Sequence, residues 1–200
     1  MYKLAAKDFP RWSLTFGRDF NQPLDSTTLP SGLHTMRFGA AFNQSLDQTT
    51  LPTGLRILEF GFDFDRSLQD TVLPDGLETL RLGFRWSHDL DVIKWPSGLK
   101  TLTFGNGFNR TLAHTTLPSG LVNLTFGEGF NQSLDFVSFP SGLQNLTFGI
   151  GFNQSMDDVQ LPSGLQTLTF DRAYHRRLDI NRLPPGMQAL RVGNKRWIQY

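Results

Sequence analysis

The 200-residue chain has no cysteine, so no disulfide braces it and no thiolate is present as a nucleophile or metal ligand. No stretch approaches the roughly 18 consecutive apolar residues that a membrane-crossing helix needs. Charge of either sign is scarce in excess. The 19 Lys and Arg against 18 Asp and Glu leave +1, which gives no general pull toward nucleic acid or an anionic membrane. The opening Met1–Asp8 lacks the apolar core of a leader peptide. No Gly-x-Ser-x-Gly elbow or phosphate-binding loop occurs. Histidine is sparse, and His34, His88, His114 and His175 fall at four different places in the pattern described next, so no metal-ligand spacing arises. These absences predict a non-catalytic chain with no cofactor and no metal.

What is present is a period. Gly17, Gly39, Gly61, Gly83, Gly105, Gly127, Gly149 and Gly193 recur every 22 residues, with Asp171 in the one missing slot. Pro30, Pro52, Pro74, Pro96, Pro118, Pro140, Pro162 and Pro184 keep the same step. A strict period of this size means stacked supersecondary units, none of which can bury its apolar side alone. In the copy Leu29–Thr50, Met36 and Phe38 lie two apart and share one face of an extended segment, while Thr35 and Arg37 point the other way. Pro30, Gly32 and Gly39 bound that strand with turns. The stretches between Gly and Pro are rich in Asn, Ser, Thr and Asp and lack a helical apolar period. The prediction is a β-rich solenoid, a right-handed coil of about nine turns on one parallel sheet, with little or no helix. Strands about 4.8 Å apart would make a rod about 40 Å long.

The columns assign the interior. The Leu33 column and two aromatic columns, headed by Phe16 and Phe20, repeat up the stack and account for most of the 18 Phe. They predict stacked ring spines. Asn21, Asn43, Asn109, Asn131 and Asn153 form a further column, read as an internal amide ladder that satisfies turn backbone. The Asp25, Asp47, Asp91, Asp135, Asp157 and Asp179 column is read as turn-capping, because unscreened stacked carboxylates repel. Residues 1–16 are expected to be an N-terminal cap with a degenerate first repeat. Residues 17–182 form the regular array, and 183–200 a degenerate repeat and cap, with Trp197, Ile198 and Tyr200 covering the last coil.

The Leu-x-x-Leu-x-Phe core resembles leucine-rich repeats. The fuller unit, Leu-Pro-x-x-Leu-x-x-Leu-x-Phe-Gly-x-x-Phe-Asn-Gln-x-Leu, is similar to FNIP-type repeats over roughly residues 10 to 196. Phe42-Asn43-Gln44, Phe130-Asn131-Gln132 and Phe152-Asn153-Gln154 carry the match. The resemblance implies a solenoid that binds other macromolecules, often beside a separate effector domain.

The sheet's outer face is the candidate surface, and it has two halves. His34, Arg37, Arg56, Glu59, Glu78 and Arg81 make a charged half, expected to bind another protein. Next to it the repeat is also most altered, at Phe62, Asp63, Asp65, Arg66, Phe84, Arg85, Trp86 and His88, and aromatics beside arginine are typical of binding hot spots. Thr101, Thr103, Asn123, Thr125, Asn145, Thr147, Thr167 and Thr169 make a neutral half that resembles the ranked threonines of ice-binding β-solenoids, the alternative function. A structural spacer within a larger protein is the third. The basic residues Arg172, Arg176, Arg177, Arg182, Arg191, Lys195 and Arg196 near the C-terminus suggest an anionic partner or end-to-end self-association. No nucleic-acid or membrane partner is expected. The lack of cysteine and of a leader, together with Asn-x-Ser/Thr sequons in structural columns, favours an intracellular setting.

Overall fold

The computed structural model describes residues 12–113 and 115–197, without the side chains of 196 and 197. Nine strands run parallel, one per coil: β1 (Trp12–Thr15), β2 (Leu33–Arg37), β3 (Ile57–Glu59), β4 (Thr79–Arg81), β5 (Thr101–Thr103), β6 (Asn123–Thr125), β7 (Asn145–Thr147), β8 (Thr167–Phe170) and β9 (Ala189–Val192). They lie side by side in chain order. From β2 to β9 each residue pairs with the one 22 positions on, as Leu58 does with Leu80 and Leu102 with Leu124. The sequence period is therefore the sheet register. The described helix is a single 3₁₀ turn at Ile180–Arg182, capped by the Asp179 side chain, which accepts from Asn181 N.

The stack ends differently from the way it runs. A tenth strand, β10 (Lys195–Trp197), turns back antiparallel on β9 across Gly193 and Asn194. Gly193 is the one described residue at positive φ, 57°, and a left-handed residue matches the twist of a two-residue hairpin. This departs from the all-parallel expectation, and β10 takes up the free edge of β9. The proposed covering by Trp197, Ile198 and Tyr200, like the residues before Trp12, lies outside what is described.

The core follows the columns. Leu58, Leu80, Leu102, Leu124, Leu146 and Leu168 are fully buried under the sheet. Behind them the two ring columns stack both up the solenoid and within each coil. Phe104, Phe126, Phe148 and Phe170 lie 5.3–5.4 Å apart, centroid to centroid. Phe126 and Phe130 of one coil lie 4.1 Å apart. The fourth coil swaps sizes: Leu82 stands in the first column where Trp86 fills the second, and both are buried. The smaller side chain makes room for the larger, as volume-conserving exchange in a dense core requires. Rings with a polar tip at the second column use one acceptor position. Trp86 Nε1 donates to Arg66 O at 2.8 Å, and Tyr174 Oη to Gln154 O, at the equivalent place four coils on, at 3.2 Å.

Burial raises the Tyr174 hydroxyl from 10 to about 12, with the nearby Asp157 carboxylate adding to the rise and Arg176 opposing it. The folded state therefore holds this proton more tightly than the unfolded chain. That stabilisation is complete below about pH 10 and is lost as pH climbs toward 12. Relative to Tyr174→Phe, the wild type should lose stability over that window only, and a tyrosinate absorbance titration should show a late component that the variant lacks.

The Asn column does form a ladder, but on the outer flank of the coil rather than inside it. Asn21 Oδ1 accepts from Asn43 N at 2.9 Å, Asn43 Oδ1 from Asp65 N at 3.0 Å, and Asn109, Asn131 and Asn153 continue the pattern. These side chains are half-buried or exposed. The interior is filled by rings, so the amides serve backbone at the rim. Of the Asp column, Asp179 caps a turn by accepting from Asn181 N at 3.0 Å. Asp47 and Asp91 instead accept hydroxyl bonds from the next coil, from Thr71 Oγ1 at 2.6 Å and Thr115 Oγ1 at 3.3 Å. The turn N–H groups of Asp47, Asp135 and Asp157 go to the hydroxyls of Ser45, Ser133 and Ser155.

The glycine column has a cause beyond turn-making. A Cβ on Gly149 would lie 2.5 Å from the Gly127 carbonyl oxygen, 2.6 Å from its carbon and 2.8 Å from Glu128 Cα. Successive coils touch backbone to backbone here, and only glycine lets them approach. Gly17, with no described coil beneath it, would meet nothing within 4 Å.

Candidate docking face

Two side-chain columns flank the buried leucine of each strand and face outward. The register places Arg37 of β2, Glu59 of β3 and Arg81 of β4 side by side. Glu59 bridges both neighbours, Oε2 to Arg37 Nε at 2.6 Å and Oε1 to Arg81 Nε at 3.2 Å. A second ladder runs beside the strands one coil later. Glu78 lies 4.0 Å from Arg56 Nε and 3.4 Å from Lys100 Nζ. Arg56 also donates to the carbonyls of Thr53 and Leu55 at 3.2 and 3.1 Å. Four cations on two carboxylates leave +2 on this face. The pairs are half-exposed, so each adds only a few tenths of a kcal/mol to stability. Their main effect is to hold long side chains in fixed places.

Five of the six predicted binding residues thus join the two ladders. His34 stands apart from them, with Nδ1 3.4 Å from Thr35 Oγ1. Thr35 points to the same face yet is buried, at 7% exposure. Lys100 belongs to the second ladder but was not among the predicted residues. Its signal was the column Arg56, Glu78, Lys100, which alternates in sign every 22 residues.

The altered segment beside the strands divides by position in the unit. Trp86 occupies the second ring column and is wholly buried. Phe62 and Phe84 follow the close-approach glycines Gly61 and Gly83 and stand outside, 45% and 41% exposed. Their rings stack on each other at 4.3 Å with 14° between planes. Arg85 lies with Cζ 5.5 Å from the Phe62 centroid, a cation–π distance, and its Nε is 3.4 Å from Asp63 Oδ1. Farther out, His88 Nε2 is 3.0 Å from Asp65 Oδ1, and Arg66 Nε donates to Asn43 O at 2.9 Å. At the equivalent of Phe62 and Phe84 the neighbouring coils carry Ala40 and Arg18. Below Phe62 the ridge therefore drops into a notch of about 460 Å³ lined by Arg18, Asp19, Ala40, Ala41, Phe62 and Asp63.

The neutral half is built as predicted in register: Thr101↔Asn123, Asn123↔Asn145, Asn145↔Thr167, and Thr103, Thr125, Thr147 and Thr169 in line. Its amides are committed to one another. Asn145 Nδ2 donates to Asn123 Oδ1 at 2.8 Å, and Asn123 Nδ2 to Thr101 Oγ1 at 3.1 Å. In the basic C-terminal region, Arg176 Nε donates to Asn153 O at 2.8 Å and Arg182 lies 3.9 Å from Asp158. Among the described residues no group of three His, Asp or Glu converges at metal-binding range. No described helix is long and apolar enough to cross a membrane.

A family model described as FNIP Repeat matches residues 12–40, 42–85, 91–129, 108–151, 130–170 and 152–195. A solved structure titled "The crystal structure of CroV588 a novel circular LRR protein structure" superposes with a TM-score of 0.83 at 35% identity, over 90% of this chain and 26% of that chain. This chain thus spans about a quarter of that protein's length. No curated protein matches.

Proposed function

The chain belongs to the FNIP repeat family, and on that premise we propose that it is a non-catalytic scaffold that binds another protein through the charged half of its sheet. One observation carries this reading. The exposed Phe62–Phe84 stack lies at the strand ends of the same coils whose outer face holds the Arg37–Glu59–Arg81 bridge. An apolar anchor rimmed by pre-positioned charge is the composition of a protein-binding hot spot. Elsewhere the ridge is polar or glycine, apart from Ala40, Ala41, Ile150 and Ala173, so Phe62 and Phe84 are the two aromatic residues on it.

The threonine rows are the weaker surface, because the Asn123 and Asn145 amides already satisfy each other and Thr101. A spacer would use neither half. A photo-crosslinking residue placed at Thr79, between the ladders, should trap a protein adduct in the source cell, and the paired change Arg37→Glu with Arg81→Glu should remove it. The same probe at Thr147 should trap little. Adducts from Thr147 alone would move the surface to the neutral half, and none from either position would leave the spacer.

A further inference from the structure

The aromatic ridge is a stack that stops one rung short. Phe84 sits on Phe62 at 4.3 Å. The next place down, one coil lower, holds Ala40, and the place below that holds Arg18. These levels are fixed by backbone, since Asp63 N donates to Ala40 O at 2.8 Å and Ala41 N to Arg18 O at 2.9 Å. Arg18 and Phe62 stand two coil steps apart, about 9.6 Å at strand spacing. One planar ring fits between them at the Ala40 level. The notch of about 460 Å³ found there is lined by Phe62 above and Arg18 below, and Arg85 is not among its lining residues. An inserted ring would stack on Phe62 and meet a guanidinium on its other face, two contacts that favour an aromatic over an aliphatic side chain.

Charge narrows the occupant. On the sheet side of the notch, Arg37 belongs to the same coil as Ala40 and shares the single carboxylate of Glu59 with Arg81. That leaves a cationic surplus toward which a partner's carboxylate is drawn. Inside the notch, Asp63 is paired with Arg85 at 3.4 Å and Arg18 offsets Asp19, so no net positive charge is left there to hold the polyanionic backbone on which a nucleobase would arrive. We propose that the Ala40 notch receives an aromatic side chain from an extended partner peptide, with an acidic residue next to it seated on Arg37 and Arg81. This rests on the charged half being the docking surface, and it adds the chemistry of what docks.

Ala40→Phe supplies the missing ring from the chain itself, in a slot where Phe62 and Phe84 show that phenylalanine is accommodated. Phe62→Ala removes the stacking platform at an exposed site and serves if the first variant does not fold. Phage-displayed random 12-mer peptides would be selected on the full chain, and the enriched clones compared on wild type, Ala40→Phe, Phe62→Ala and Arg37→Glu with Arg81→Glu, alongside a 12-mer oligothymidylate. The expected clones carry an aromatic residue with Asp or Glu within two positions. They should bind either notch variant and the charge-reversed protein at least tenfold more weakly, with no oligothymidylate binding. Clones lost on charge reversal but indifferent to Ala40→Phe would overturn the notch and keep the docking face. Clones sensitive to Ala40→Phe but not to charge reversal would overturn the acidic half. Clones indifferent to every variant, or none at all, would sink both. Oligothymidylate binding abolished by Ala40→Phe would replace the peptide with a nucleic acid.

Discussion

Gly149→Ala should destabilise the protein by about 3 kcal/mol, the upper range for forcing volume into a packed site. The new methyl has nowhere to go, because its neighbours at 2.5–2.8 Å are all backbone atoms of the coil below, and backbone cannot rotate away as a side chain can. Relief requires the two coils to part, which strains the Gly151 N to Glu128 O bond of 2.9 Å next to it. In a solenoid each coil is held only by its neighbours. The variant should therefore show a broadened or split urea transition, with the coils on either side of the fault melting separately. Gly17→Ala, at the same place in the unit, should change stability by less than about 0.5 kcal/mol, because its Cβ would meet no atom of the described residues within 4 Å. Equal effects at the two positions would mean that close backbone approach is not the reason for the column.

Phe130→Ala should cost about 4 kcal/mol, the level for truncating a fully buried ring. Phe130 has no exposed surface. It stacks on Phe126 at 4.1 Å and sits between Phe108 and Phe152 at 5.9 and 6.0 Å, so its loss opens a cavity that ring neighbours on three sides cannot close. Phe136, only a few residues later, is 84% exposed, and Phe136→Ala should be nearly silent in the same urea melt. A comparable loss at both would refute the assignment of inside and outside made from the columns.

Much of this was legible in the sequence because the period is strict. Once Leu58 aligned with Leu80 and Phe126 with Phe148, the parallel register, the ring spines and the outward Arg37–Glu59–Arg81 row followed, and all are found. Three features were not legible, each for a physical reason. A glycine at a strand end reads as a turn, and nothing in one chain's sequence shows that another coil's carbonyl lies against it. An Asn column beside buried rings reads as internal, yet its acceptors serve backbone N–H groups at the rim, as Asn21 does for Asn43. The antiparallel β10 breaks the period, and its only trace was Gly193-Asn194 between two short runs.

Of the candidate site, Phe62 and Trp86 looked alike as departures from the unit. Their offsets from the glycine, one residue and three, decide that the first is exposed and the second buried. The notch was hidden because its key residue is a small one, and Ala40 becomes informative only when Phe62 and Phe84 are seen stacked above it.

All of these assignments depend on coils lying one above another at strand spacing, and spin-label distances measure that directly. The chain has no cysteine, so pairs can be introduced cleanly on one outer column. Labels at Thr15 and Thr125, five strands apart, should lie about 24 Å from each other, and labels at Thr15 and Thr169, seven apart, about 34 Å. A rise of about 4.8 Å per strand across such pairs is the predicted result. Distances that fail to grow with the number of intervening repeats would contradict the stack and, with it, the docking face.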